Sequence, residues 1–127
     1  MKDIFQIEYV LGTTSISAFW KVISTTEGLS RWFADYVECD GDEYTFHWGD
    51  AEGKAKLINQ NYKKSVRFKW EEDEGTNYYF DIQFTIAEFT QSVVLRITDF
   101  SESNEDMTGL TNWWNIKIET MRKSFGI

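Results

Sequence analysis

Only one stretch of this chain has the pattern of a long helix, and it lies at the end. Met107, Leu110, Trp114, Ile118, Met121 and Phe125 follow one another at spacings of 3, 4, 4, 3 and 4. At about 100° per residue they fall in one stripe roughly 80° wide, with Asn112, Glu119 and Lys123 opposite. Ser103 and Asp106 suit a capping-box variant with an acid at the third helical position. The acids near that end, and Arg122 and Lys123 at the other, complement the helix dipole. A lone helix with a wide aromatic stripe must lie in a large concave apolar surface. The rest of the chain has to supply it.

Almost everything before the helix reads as strand. Phe5, Ile7 and Tyr9 alternate with Gln6 and Glu8, so residues 3–10 form a strand with one dry and one wet face. After Gly12, the hydroxyls of Thr13, Thr14 and Ser15 offer an N-cap to a helix over 15–24, with Ile16, Phe19, Trp20 and Ile23 on one side. The run 25–28 breaks that helix, and Leu29, Trp32 and Phe33 mark a second helical turn. From residue 34 to residue 100 the period switches to two. Residues 36–39 make a short strand that turns at Asp40-Gly41-Asp42. Tyr44, Phe46 and Trp48 alternate with Thr45 and His47, and a turn over 49–53 follows. The next strand, 54–62, has Ala55 and Leu57 on the inner side. Val66, Phe68 and Trp70 follow, then an acidic loop at 71–75, then Phe80, Ile82, Phe84 and Ile86. A turn at Thr90-Gln91 leads into Val93, Leu95 and Ile97. Regular spacing and short turns predict about seven strands paired antiparallel in sequence order, wet on one side and covered by the final helix on the other. The fold class is α+β, and 127 residues make one domain, 1–127.

Composition narrows the function classes. A net charge of −8 argues against nucleic acid and anionic membranes. No window approaches the ~20 apolar residues of a membrane span. The first residues lack the apolar run of a signal peptide, which predicts a cytoplasmic protein. Cys39 is the only cysteine, so no internal disulfide forms; it is expected to be a buried or half-buried structural thiol.

Several segments resemble a known family. Residues 18–35, with Trp20, Leu29, Trp32 and Phe33, are similar to the first-helix segment of the bacterial branch related to activators of Hsp90 ATPase. Gly41, Tyr44, Phe46 and Trp48 resemble that branch's Gly-x-x-aromatic-x-aromatic strand, and Phe68 with Trp70 its Leu-x-Phe-x-Trp strand. The pair Trp113-Trp114 is similar to its helical Gly-Trp, with Asn112 or Trp113 where glycine is usual. Thr13-Thr14-Ser15 replaces the proline usual before the first helix. The chain thus resembles the START-like, Bet v 1-like or helix-grip superfamily (also called SRPBCC). That resemblance implies a curved sheet of about seven strands, in the order β-α-α-β6-α, wrapped around the last helix. It also implies a cavity between helix and sheet, and no family-wide catalytic residue.

Catalytic signals are poor. His47, the only histidine, falls on the solvent face of its strand. One His and one Cys do not make a metal site, and no cofactor is expected. Asp81 and Asp99 fall on faces assigned to solvent, which leaves a cyclase or hydrolase without an acid–base pair. The acidic run 71–74 reads as a solvated loop. The aromatics carry more information, because 17% of the chain is Phe, Trp or Tyr. Trp32, Phe33, Tyr44, Phe46, Trp48, Phe68, Trp70, Tyr78, Phe80, Phe84, Trp114 and Ile118 are expected to face the space under the helix, where they either fill a core or line a cavity and contact a ligand. Asn59, Tyr78 and the Tyr44 hydroxyl are the inward polar candidates. The expectation is a non-enzymatic module for a small hydrophobic or aromatic ligand. The alternative is a co-chaperone-like module that meets a protein partner through its acidic surface. Ile116, on the outer face of the helix with Trp113 at its edge, would mark a homodimer contact.

Overall fold

A computed structural model describes residues 1–127, the side chain of Glu105 excepted. The elements run β1 (Asp3–Thr13), α1 (Ile16–Ser24), α2 (Thr26–Leu29), β2 (Tyr36–Asp40), β3 (Glu43–Trp48), β4 (Ala51–Asn61), β5 (Ser65–Trp70), a 3-10 turn (Glu71–Asp73), β6 (Phe80–Ile86), β7 (Ser92–Ser101) and α3 (Asn104–Phe125). The strands form one seven-stranded antiparallel sheet in the order β1-β7-β6-β5-β4-β3-β2. All but one of the neighbours are consecutive in sequence. The exception is β1, which pairs with β7, so the first two strands occupy opposite edges. The short helices carry the chain from one edge to the other, α1 over β5 and β6 and α2 beside β2. The α+β helix-grip architecture implied by the resemblance is the one observed.

Local chemistry sets the helix ends. Ser15 Oγ accepts from Ala18 N at 3.0 Å and starts α1. Thr25 Oγ1 accepts from Gly28 N at 2.9 Å and starts α2, so the second helix begins inside the segment expected to be a break. Gly28 is required there. A Cβ at that position would lie 2.2 Å from the Lys21 carbonyl oxygen and 2.7 Å from that of Val22. Ser103 caps α3 as expected, accepting from Asp106 N at 3.1 Å. The stripe of α3 faces the sheet: Trp114, Ile118 and Met121 are buried and Met107, Leu110 and Phe125 half-buried, while Ile116 on the far side is 65% exposed.

Several sequence expectations shift. Strand β4 begins at Ala51, because only Gly49 and Asp50 are needed to turn from Trp48 to its partner Ala51. Asn59 is exposed, not inward. A bulge between Leu57 and Asn59 inserts Ile58, so Asn59 pairs with Arg67, an outward position. Cys39 is exposed rather than buried, on edge strand β2. The acidic run is not all solvated: Asp73 is buried in the 3-10 turn, with Lys2 Nζ 3.6 Å from its carboxylate. Asp81 keeps its outward side but is buried, because Arg67 Nε bonds it at 2.9 Å and the Arg67 guanidinium lies 3.9 Å from the Tyr79 ring centre. His47 stays on the outer face between Glu38 and Glu52, with Nε2 2.9 Å from Glu38.

Candidate functional site

The inner positions of β3, β5 and β6 send their aromatic side chains toward α3, and Phe33 sits among them. Its ring centre lies 4.8 Å from Phe46, 5.5 Å from Phe80, 5.6 Å from Trp113, 5.7 Å from Trp114 and 5.8 Å from Trp48. Most of these contacts are edge-to-face or tilted, the arrangement that ring quadrupoles favour. Phe46, Phe68 and Phe80 are fully buried with Phe33, and Tyr44 packs edge-on to Phe68 at 5.1 Å. The indole nitrogens are used as struts. Trp32 Nε1 donates to the Val22 carbonyl at 2.9 Å and Trp48 Nε1 to the Phe33 carbonyl at 2.8 Å, which fixes the turn that carries Phe33. Gly53 makes room between two of the rings: a Cβ there would come within 3.0 Å of Trp70 and 3.2 Å of Trp48.

Most of the residues expected to contact a ligand are therefore packed against each other. Trp32, Phe33, Tyr44, Phe46, Phe68, Phe80, Trp114 and Ile118 belong to the core. Phe84 is also buried, but under α1, against Phe19 at 4.8 Å. Tyr78 stands away from the cluster. Its hydroxyl accepts from Lys2 N at 3.0 Å and its ring packs on Phe100 at 5.3 Å. Trp48 and Trp70 are half-buried at the margin of the cluster.

Open space lies further along, where the first turns of α3 pass over the end of the sheet. A groove of about 710 Å³ runs there between Trp70, Leu110 and Trp113 on its apolar side and Asp99 and Ser101 on the strand below. Lys2, Glu102 and Asp106 stand on its rim. Gly109 also lines it and faces it with no side chain; a Cβ there would meet nothing within 4 Å. Two other hollows differ in kind. One of about 500 Å³ carries Lys54, Lys56 and Lys69 among Glu38, Glu43 and Glu71. The other, of about 340 Å³, lies between α1, α2 and the chain's last residues.

Two groove residues escaped the sequence reading. Asp99 was assigned to solvent, and it is buried on the inner face. The signal was available: Val93, Leu95 and Ile97 point inward, and two more residues of the same strand bring Asp99 to that side. Asp99 Oδ2 accepts from Trp114 Nε1 at 2.8 Å and Oδ1 from Phe100 N at 2.7 Å. Burial pushes its carboxyl up to about 6, against the pull of those two hydrogen bonds and of the Lys2 charge; Asp73 pushes the same way as burial. Trp113 was assigned to the edge of the outer face, but it closes the aromatic cluster instead, 6.1 Å from Trp48 and 5.1 Å from Trp114. Trp113 and Lys117, three and seven residues after Leu110, widen the main stripe on one side with half-buried positions. Lys117 Nζ lies 5.0 Å from the centre of Trp113 and 5.4 Å from that of Trp48. Burial lowers its pKa, with Asp35 opposing.

The arrangement offers an open groove with apolar side chains along one side, charged groups on its rim and one buried carboxyl at its base. Among the described residues, no three His, Cys, Asp or Glu side chains are grouped to hold a metal ion, and no helix is long and apolar enough to cross a membrane.

The fold and the sequence have counterparts among known proteins. A structural-genomics target from Bacteroides fragilis, solved by solution NMR, is 36% identical, with 96% of this chain and 90% of that one covered and a TM-score of 0.68. The Aha1 dimer from Colwellia psychrerythraea is 13% identical over 98% of each chain, with a TM-score of 0.79. A protein of Bacillus thuringiensis is 14% identical over 98% of this chain and all of its own, with a TM-score of 0.80. No curated protein matches. The family model described as the START-like superfamily domain matches residues 1–127. The chain belongs to the START-like superfamily, a fold of ligand-binding and interaction modules, and its structural neighbours include a homologue of the Hsp90 ATPase activator, as the sequence resemblance implied.

Proposed function

We propose that the protein is a non-enzymatic binding module that holds a small hydrophobic or aromatic molecule in the groove under the first turns of α3. The carrying observation is the groove itself, with Trp70, Leu110 and Trp113 along one side and the buried Asp99 at its base. Such sites are mostly apolar with a few placed polar groups. Covering about 200 Å² of apolar ligand surface contributes roughly 5 kcal/mol at ~25 cal/mol per Å². Lost translational and rotational freedom offsets much of it, so burial alone supports affinities in the millimolar range or weaker, and polar contacts must supply the rest. Trp113 is the reporter. Titration with aromatic metabolites and medium-chain lipids is expected to change tryptophan fluorescence and raise the melting temperature, and Trp113→Ala to remove most of both effects. Binding that survives unchanged in Trp113→Ala and Trp70→Ala would move the ligand elsewhere.

A second reading, contact with a second copy of the chain, is favoured by two observations. Ile116 stands 65% exposed on the outer face of α3, and one structural neighbour is described as a dimer. Sedimentation of the protein and of Ile116→Asp tests it. A dimer that Ile116→Asp dissociates supports this reading, and a monomer at high micromolar concentration removes it.

A further inference from the structure

On the reading of the groove as a binding site, its charges narrow what enters. Asp99 sits at the base, 8% exposed, with one protein hydrogen bond to each oxygen. That uses about half the acceptor capacity of a carboxylate. Glu102 and Asp106 add negative charge at the rim. Among the described residues, Lys2 is the one basic side chain lining the groove, and its ammonium is turned aside, 3.6 Å from the Asp73 carboxylate and 5.1 Å from the Tyr78 ring centre. The walls suit a cation as well. Trp70 and Trp113 are electron-rich rings, and Trp113 already carries the Lys117 ammonium at 5.0 Å.

The geometry points to an organic amine as the ligand: an ammonium group placed against Asp99, on an aromatic or branched apolar body lying along Trp70, Trp113 and Leu110. A carboxylate or phosphate ligand would meet Asp99, Glu102 and Asp106 with only Lys2 in compensation. A neutral ligand would fill the groove and add no charge to the two hydrogen bonds and the Lys2 ammonium that Asp99 already has. Burial raises the carboxyl of Asp99, so a bound cation would also hold it in its ionised form.

Three probes of one shape separate the outcomes: tryptamine (cation), tryptophol (neutral) and indole-3-propionate (anion), titrated by calorimetry and by amide chemical shifts at pH 7.5. Tryptamine is expected to bind at least tenfold tighter than tryptophol, and indole-3-propionate the weakest. Asp99→Asn should bring tryptamine down to the level of tryptophol while tryptophol itself moves less than threefold. If Asp99→Asn does not fold, the double variant Glu102→Gln/Asp106→Asn on the exposed rim should weaken tryptamine about threefold and tryptophol by clearly less. Tryptophol binding as tightly as tryptamine overturns the amine assignment but leaves the groove a binding site. So does a preference for tryptamine that survives both sets of substitutions. Failure of all three probes to shift the amides of Leu110, Trp113 and Asp99 overturns the groove reading as well.

Discussion

The two ends of α3 meet the sheet in different ways. At the C-terminal end the helix is tied down. Arg122 Nη2 donates to the Val10 carbonyl at 2.9 Å, Gly12 N to the Ile127 carbonyl at 2.6 Å, and Ser124 Oγ to the Arg31 carbonyl at 2.9 Å. The Arg31 guanidinium bonds the Ser124 carbonyl and lies 4.2 Å from the centre of the Phe125 ring. Met121 and Ile118 fill the space beneath. At the N-terminal end the same stripe continues through Leu110 and Met107, but Gly109 brings no bulk and Asp99 stands where a hydrophobic residue would close the gap. One continuous helix thus closes the core at one end and roofs a groove at the other. The periodicity of the stripe is common to both ends. The size and charge of two residues make the difference.

The largest effect should come from the aromatic cluster that separates the two ends. Phe33→Ala removes a fully buried ring that touches both sheet and helix, and a loss of about 3–5 kcal/mol is expected in urea denaturation. A loss under about 1 kcal/mol would mean that the cluster is loosely packed and that the groove extends into it.

Asp99 distinguishes the open end by pH. Its carboxyl stands at about 6 in the folded chain against 3.8 for the free group, so the folded state holds the proton more tightly. Its stabilising contribution is complete below about pH 4 and is lost as pH rises through 6, by roughly 3 kcal/mol in all. Lys2, Asp73, Glu102 and Asp106 surround it in wild type and variant alike. The difference between the wild type and Asp99→Asn isolates the group. That difference should shift in favour of Asp99→Asn between pH 4 and pH 8, and a flat difference would place Asp99 in contact with solvent.

Smaller effects test the tied end and the roof. Arg31→Ala removes a hydrogen bond to α3 and the stacking on Phe125, and about 1–2 kcal/mol of stability should go with them. Faster amide exchange in the last turn of α3, with the first turns unchanged, would show that the two ends open separately. Gly109→Ala is the smallest change. It should raise stability by about 0.5–1 kcal/mol through helix propensity, since its Cβ meets nothing within 4 Å, and should weaken ligand binding modestly by narrowing the groove.

Much of the fold was legible because strand and helix periods are properties of neighbouring residues. The alternations Tyr44/Phe46/Trp48 and Phe80/Ile82/Phe84 and the stripe from Met107 to Phe125 each predict a buried face, and each of those faces is turned inward. The site was less legible. Asn59 was misplaced by a bulge that only its pairing with Arg67 reveals. Asp99 was assigned to solvent on its charge, against its own alternation. Its burial depends on the indole of Trp114, which is 15 residues away. Cys39 and Asp73 exchanged their expected environments because β2 is an edge strand and Lys2 reaches the acidic turn.

By itself the sequence determined the elements, their order and which face of each is apolar, since these follow from propensity and spacing over short stretches. The tertiary structure decided where the aromatics meet. Whether the side chains expected to point inward leave a hollow depends on how rings from β3, β5, β6, α3 and the turn after α2 interlock around Phe33, and no local pattern encodes that packing. Ring packing filled the middle of the concave surface and moved the open space to the end of the sheet, over Asp99.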